Sequence, residues 1–206
     1  MSPSSWVMLR HGESTANREG VYSGWQDVPL TALGEAQARE AGRVIHGTGV
    51  TRIISSDLQR AVATAELAAS AAGLTELAVQ RFAGLRERHL GAWQGQDRAR
   101  LKRANPEGPL TQWTGSAPGG ETLAALADRV LSTLAALPPT SGTTLLVAHG
   151  GVIRVLLGLL DGTPPDSLWT RRIANASPVP VQVPPGTWGR LHAALATAPP
   201  APSGLG

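Results

Sequence analysis

Cysteine is absent from all 206 residues, which excludes a disulfide framework, thiolate zinc sites and a thiol nucleophile and fits a reducing compartment. The opening "MSPSSWVML" has no basic segment ahead of a long apolar stretch, so it carries no signal-peptide pattern. The most apolar run, "LLVAHGGVIRVLLGLL" (145–160), holds His149 and Arg154 and falls short of the ~20 apolar residues that a membrane crossing takes. No Asp/His cluster has metal-ligand spacing, and no metal or other cofactor is expected. Charged residues make up only 16 % of the chain, with a formal net charge of +3. The one basic cluster, "DRARLKR" (97–103), lacks interleaved aromatics, and a solvated helix face accounts for it as well as binding does. These absences describe a soluble, cytoplasmic protein with no nucleic-acid or membrane partner, whose mild positive field suits a small phosphorylated metabolite.

The length suits one domain, placed here at residues 1–197, with 198–206 ("APPAPSGLG") as a disordered low-complexity tail. "SWVML" (5–9), "TRIISS" (51–56) and "TTLLVA" (143–148) have the short apolar pattern of buried strands, and another short strand is expected before Leu85. "PVPVQV" (178–183) reads as an edge strand because its prolines cannot donate to a ladder, and "GRLHAAL" (189–195) reads as a further strand. Residues 12–30 have the composition of a long ordered loop. Helices are expected after Thr31, after Ser56 or Asp57 as cap, from the "GSAPGGET" start signal (115–122) to Leu137, and in "VIRVLLGLL". Strands alternating with helices give an α/β fold, a three-layer sandwich with a mostly parallel central sheet flanked by helices.

Two of these strands end alike, in Arg10-His11-Gly12 and in Ala148-His149-Gly150. Ligands of parallel α/β sheets bind outside the carboxyl ends of the strands, so both histidines should face one crevice, with Arg60 in the first turn of a nearby helix. A neutral imidazole is a nucleophile, and arginines beside it both lower its pKa and grip an oxyanion. His11 between Arg10 and Arg60 therefore suits phosphoryl transfer, with Glu87 as the candidate acid and base. Taken singly, a strand-end histidine, a helix-start arginine and a glutamate between Arg86 and Arg88 each have an ordinary structural role. Their joint placement carries the argument.

"LRHGES" followed by Asn17, then "YSGWQDVPLTALGEAQAREAG", "SSDLQRAVATAE", "LRERHLGAWQG", "PGGET" and "LLVAHGGVIR", together resemble the histidine phosphatase superfamily, the phosphoglycerate mutase-like proteins, across residues 5–183. The resemblance implies that His11 becomes phosphohistidine, that Arg10, Arg60 and His149 form the phosphate pocket with it, and that Glu87 is the acid/base carboxylate. Asn17, Ser23, Gly24 and Gly150 fall where the family adds phosphate contacts. A homodimer is also implied. "SGWQDVPLTALG" and "ERHLGAWQG" are similar to the cofactor-dependent phosphoglycerate mutases, which would need 2,3-bisphosphoglycerate. Against that reading, Trp113 is followed by Thr114 and Gly115 where the mutases carry an arginine pair, and "APGGET" is similar to the phosphatase branch. Gln94 stands where many phosphatase relatives carry Glu. A metal-independent phosphatase is the favoured reading and a mutase the alternative. A non-catalytic phosphoryl-binding protein would be favoured by loss of the nucleophile or acid, and both are present. Trp25, Trp93, Trp113 and Trp169 are expected in the core rather than the pocket.

Overall fold

A strand with no polar face must be covered on both sides, and the central strands of this chain have none. In the computed structural model, which describes residues 3–197, five strands form one sheet: β1 (Ser4–Arg10), β2 (Val50–Ser56), β3 (Val79–Phe82), β4 (Thr143–Ala148) and β5 (Pro178–Val183). Their order is β3-β2-β4-β1-β5. The first four run parallel, and β5 is antiparallel to β1 at the edge, pairing Val181 with Trp6. Seven α-helices accompany the sheet: α1 (Thr15–Glu19), α2 (Ala32–Ile45), α3 (Gln59–Ala71), α4 (Arg98–Ala104), α5 (Leu123–Ala135), α6 (Gly150–Asp161) and α7 (Thr187–Thr197). The expected α/β three-layer architecture is the observed one.

The period-2 alternation of the strands sorts the core into two halves. Trp6, Met8, Ile54, Leu146 and Ala148 point to one side, where they pack against α5, α6 and α7. Val7, Leu9, Ile53, Leu145 and Val147 point to the other, against the small residues of α2 and α3. Alanines at positions 61, 65, 68 and 69 let α3 lie close to the sheet. Among the described residues no helix is long and apolar enough to cross a membrane.

Three expectations are corrected. Residues 189–195 are not a strand: they belong to α7, whose Trp188, Leu191 and Leu195 form one helical face packed on the core. A seven-residue apolar stretch fits either period, and here burial against α5 decides. Within the long loop, Thr15–Glu19 form α1, because the hydroxyl of Ser14 accepts the Asn17 N–H while Asn17 Oδ1 accepts the Ser14 N–H, a reciprocal cap that a five-residue helix needs. Neither Ser56 nor Asp57 caps α3; Leu58 occupies the cap position without a side-chain bond. The expected tail at 198–206 lies outside the described residues.

Trp188 meets Trp6 edge-to-face at 5.4 Å and is 6 % exposed, so it is the anchor of α7. Trp188→Ala should lower unfolding stability by about 3–5 kcal/mol in chemical denaturation, while Leu33→Ala, at an exposed position, should change it by less than about 0.5 kcal/mol. Equal effects would contradict the packing of α7 described above.

Candidate active site

The carboxyl ends of β1, β2 and β4 lie side by side, and each ends in a polar side chain or is followed directly by one. β1 delivers Arg10 and then His11, whose N–H continues the ladder to the Ala148 carbonyl at 2.9 Å. β4 delivers His149, and the two imidazoles are 5.2 Å apart, edge to face. β2 ends in Ser56, whose hydroxyl lies 2.9 Å from His149 Nε2. The same hydroxyl takes the Leu58 N–H, and Asp57 forms a two-pronged pair with Arg86 at 2.6–2.7 Å. Both side chains proposed as caps of α3 are thus engaged elsewhere, and Asp27 from the 20s loop accepts the Gln59 N–H instead.

His11 is 4 % exposed and His149 is fully buried. The Nδ1–H of His11 donates to the Gly12 carbonyl at 2.7 Å, since a carbonyl can only accept. That bond leaves Nε2 as the ring nitrogen with a free lone pair. Burial, then the Arg60 and Arg10 guanidiniums, hold His11 well below the usual histidine range. Burial and the charges of Arg60, His11, Arg10 and Arg129 do the same to His149. Arg60 is fully buried, which pushes it down to about 10 against the pull of Glu87 and Asp27, so it stays charged at neutral pH. Its terminal nitrogens donate to the carbonyls of Gln26 and Gly24, both at 2.8 Å, and Arg10 donates to the Ile173 carbonyl. Arg10 Nε, Arg60 Nε and His149 Nδ1 remain buried without a hydrogen-bond partner among the described residues. An unpaired buried polar group costs about 1–3 kcal/mol, and three around one imidazole suit a bound oxyanion.

Glu87 sits on a loop, and other side chains hold it there. Its carboxylate accepts the Arg88 N–H at 2.9 Å and the Gly151 N–H at 3.0 Å, and its carbonyl accepts Trp25 Nε1–H at 2.6 Å. Arg129 from α5 donates to the carbonyls of Gly84, Arg86 and Glu87 while forming a two-pronged pair with Glu121, which also accepts the His89 N–H. A Cβ on Gly151 would lie 2.2 Å from a Glu87 carboxylate oxygen, so only glycine leaves that carboxyl room. Gly12 has the same necessity, since its Cβ would lie 2.2 Å from the Gly34 carbonyl oxygen.

The structure brings Arg10, His11, Arg60, Glu87 and His149 together. Gly24 joins them through its carbonyl on Arg60, and Gly150 opens α6 beside Arg10, with its Cβ position 3.5 Å from Arg10 Nε. Asn17 is linked through Asn175, whose amide donates to the His11 carbonyl and to Asn17 Oδ1. Ser23 lies in the same loop, half-buried, with its carbonyl accepting the Gln26 N–H. Ser56, Asn175, Gly151 and the Arg129–Glu121 pair were missed. Ser56 had a signal, its place at a third strand end. Asn175 had none, because it comes from the turn before β5. Gln94 is a brace, accepting the Trp25 and Leu90 N–H groups. Of the four tryptophans assigned to the core, none is fully buried: Trp113 and Trp169 pack on its margin, Trp93 joins a small separate cluster, and Trp25 lies beside Glu87.

A family model described as the histidine phosphatase superfamily (branch 1) matches residues 6–193. The chain is 36 % identical over 181 residues to the 2,3-bisphosphoglycerate-dependent phosphoglycerate mutase 2 of Gloeobacter violaceus, covering 84 % of this chain and 83 % of that one. Among solved structures it is similar to a mycobacterial glucosyl-3-phosphoglycerate phosphatase complexed with VO3, at 33 % identity and a TM-score of 0.77 over 86 % of this chain and 92 % of the other. It is also similar to phosphoserine phosphatase from Entamoeba histolytica in complex with 3-phosphoglyceric acid, at 27 % identity and a TM-score of 0.73, covering 86 % and 89 %.

Because the folded state holds His11 and His149 below their unfolded value of 6.5, the unfolded chain binds more protons as pH falls through that value. Stability should therefore be full above pH ~6.5 and fall below it by up to about 1.4 kcal/mol per pH unit for each histidine. Denaturant unfolding at pH 7.5, 6.5 and 5.5 measures the slope, and His149→Gln should reduce it. A slope unchanged by that substitution would mean that His149 is not held neutral.

Proposed function

Because this chain belongs to the histidine phosphatase superfamily, we propose that it hydrolyses small phosphate monoesters through a phosphohistidine formed on His11, without a metal. One observation carries the reading: a neutral His11 with Nε2 free, beside the unpaired donors Arg10 Nε and Arg60 Nε and the unpaired His149 Nδ1. Guanidinium groups take the charge-neutralising role, and among the described residues no three His, Asp or Glu gather as a metal-ligand set.

In the first step Nε2 of His11 attacks phosphorus in line and the P–O ester bond breaks. Glu87 gives its proton to the departing oxygen, which leaves as an alcohol. In the second step water gives a proton to the Glu87 carboxylate and its oxygen attacks phosphorus. The N–P bond breaks, phosphate departs and His11 is neutral again. Throughout, the guanidiniums and His149 hold the equatorial oxygens in a buried, preorganised setting.

The names of the two structural relatives support a phosphatase, as does Thr114-Gly115 after Trp113 in place of an arginine pair. The identity to a named phosphoglycerate mutase favours a second reading, in which His11 returns its phosphoryl group to a bound acceptor and 2,3-bisphosphoglycerate serves as donor.

Phosphorus NMR of the protein with a chelator, a mixture of phosphate monoesters, 3-phosphoglycerate and a trace of 2,3-bisphosphoglycerate separates the two. Growth of inorganic phosphate, abolished by His11→Ala and inhibited by orthovanadate, is expected. Growth of 2-phosphoglycerate without free phosphate would establish the mutase instead. Turnover insensitive to both His11→Ala and vanadate would sink either reading. The role of Glu87 has its own test: Gly151→Ala, by displacing the carboxyl, should cost about 10²- to 10⁴-fold in kcat on alkyl phosphates, whose leaving oxygen needs a proton. On p-nitrophenyl phosphate, whose leaving group needs none, the single-turnover release of p-nitrophenol, which precedes the attack of water, should slow by no more than about tenfold. Equal losses on both substrates in single-turnover alcohol release would remove Glu87 from protonation of the leaving oxygen.

A further inference from the structure

At the end of the sheet opposite His11, the strand register lines up three side chains on one face: Arg52 on β2 and Trp6 on β1 are both cross-strand partners of Thr144 on β4. Trp6 stands five positions, about 16 Å of strand, before His11. The helices that cover this face leave its end open, because α5 stops at Ala135 ahead of Pro138-Pro139 and α7 begins at Thr187 after Pro184-Pro185. A cavity of about 510 Å³ lies between them, a volume typical of small-molecule sites. Trp6 and Trp188 form its aromatic wall, and Leu134, Leu137 and Val183 line it with aliphatic surface. Nothing in the chemistry proposed for His11 uses it.

Arg52 is the one charged side chain among the described residues that line this cavity. It is half-buried, with its guanidinium 5.8 Å from the ring centre of Trp6. Of its five N–H groups, Nε and Nη2 each give one to the Thr144 hydroxyl, at 3.2 and 3.0 Å, and Nη1 gives one to the Pro138 carbonyl at 2.6 Å. One N–H on each terminal nitrogen is left over, the pair of donors that a carboxylate accepts. The protein supplies no such acceptor: no Asp or Glu lines the cavity, and burial lowers the pKa of Arg52 with no acidic neighbour to raise it. The first turn of α7, at Thr187, Trp188 and Gly189, faces the same space with the end of the helix that favours anions. Arg190 at that turn is exposed, and its terminal nitrogens donate to the Pro185 carbonyl and the Thr187 hydroxyl. One cation in the wall calls for one negative charge, and the indoles and aliphatic side chains around it call for an apolar body.

We propose that the cavity between α5 and α7 is a second binding site, separate from His11, for a small monocarboxylate with an aromatic or alicyclic body. The carboxylate pairs with the two remaining N–H groups of Arg52, and the ring lies against Trp6 and Trp188. The Trp6 indole and the Thr144 hydroxyl hold the guanidinium in place before the ligand arrives, so little side-chain freedom is lost on binding.

Carboxylates can also bind the arginines around His11, so the test must report where a ligand sits. Indole N–H signals in proton–nitrogen correlation NMR do this, with those of Trp6 and Trp188 identified from Trp6→Phe and Trp188→Phe. Benzoate, cyclohexanecarboxylate and 1-naphthoate, each beside its carboxamide, would be titrated at pH 7.5 with orthovanadate present. The best acid should move the Trp6 and Trp188 signals, leave those of Trp25 and Trp169 in place, and bind roughly tenfold tighter than its amide, the worth of a partly exposed charge-assisted pair. Arg52→Met keeps the stem on Trp6 and should bring that ratio to about one while the amide still binds, which shows the cavity intact. Its phosphate release should equal that of the unsubstituted protein. A ratio near one in the unsubstituted protein, a ratio retained in Arg52→Met, or signals of Trp6 and Trp188 unmoved by every acid at millimolar concentration would each overturn the site. The first and third of these outcomes need no variant, so a failure of Arg52→Met to fold leaves the decision to them.

Discussion

The hydrogen bond from Nδ1 of His11 to the Gly12 carbonyl constrains everything around it. It fixes the tautomer, turns Nε2 outward as a lone pair and makes the backbone at Gly12 part of the site. That backbone can pass only because Gly12 and Gly34 lack side chains, and it is pinned from α3 by Thr64, whose hydroxyl accepts the Gly12 N–H and donates to the Arg60 carbonyl. The same short path thus sets the nucleophile and the helix that carries Arg60. Neutrality follows from burial reinforced by two guanidiniums, so the charges that would bind an anion are those that keep the nucleophile unprotonated.

The sheet and both of its covering layers were legible in the sequence because β1, β2 and β4 each carry a short apolar run, Trp6–Leu9, Ile53–Ile54 and Leu145–Ala148, bounded by polar residues. The strand-end histidines were legible for the same reason. Where sequence reasoning failed, a tertiary partner overrode a local signal. Ser56 and Asp57 look like helix caps by composition, but the structure pairs them with His149 and Arg86 instead. "GRLHAAL" has the apolar content of a strand, and only the packing of Trp188, Leu191 and Leu195 makes it a helix. Asn175 lies 164 positions from His11, a separation that no local pattern encodes. Ala176 after it adopts a left-handed φ of 45°, unusual for alanine, while its N–H caps the Arg10 carbonyl.

The proposed nucleophile and the proposed acid are held by different means, and this follows from the fold. His11 and His149 sit on strand ends, where the ladder itself provides rigidity. Glu87 has no such support, because β3 is short and ends at Phe82. Five positions separate it from that strand, and the structure spans them with the Arg129–Glu121 pair, the Trp25 indole and the Gly151 N–H. Each fixes a backbone carbonyl or a carboxylate oxygen, so the loop is as constrained at Glu87 as a strand would be.

This division separates what must stay constant from what can change. The groups proposed to handle phosphate lie on or just after β1, β2 and β4 and at the start of α3, elements that also form the core and cannot shift without cost to it. The side proposed for the leaving group is made of the 85–95 segment, the second turn of α6 and the turn at Pro165–Thr170, which anchor in the core through Leu85, Val155, Leu156 and Leu168. Relatives with names as different as glucosyl-3-phosphoglycerate phosphatase, phosphoserine phosphatase and phosphoglycerate mutase match more than four-fifths of this chain, so on the reading proposed for His11 a difference in the alcohol is to be sought in the loops and helix turns around the strand ends rather than in the sheet.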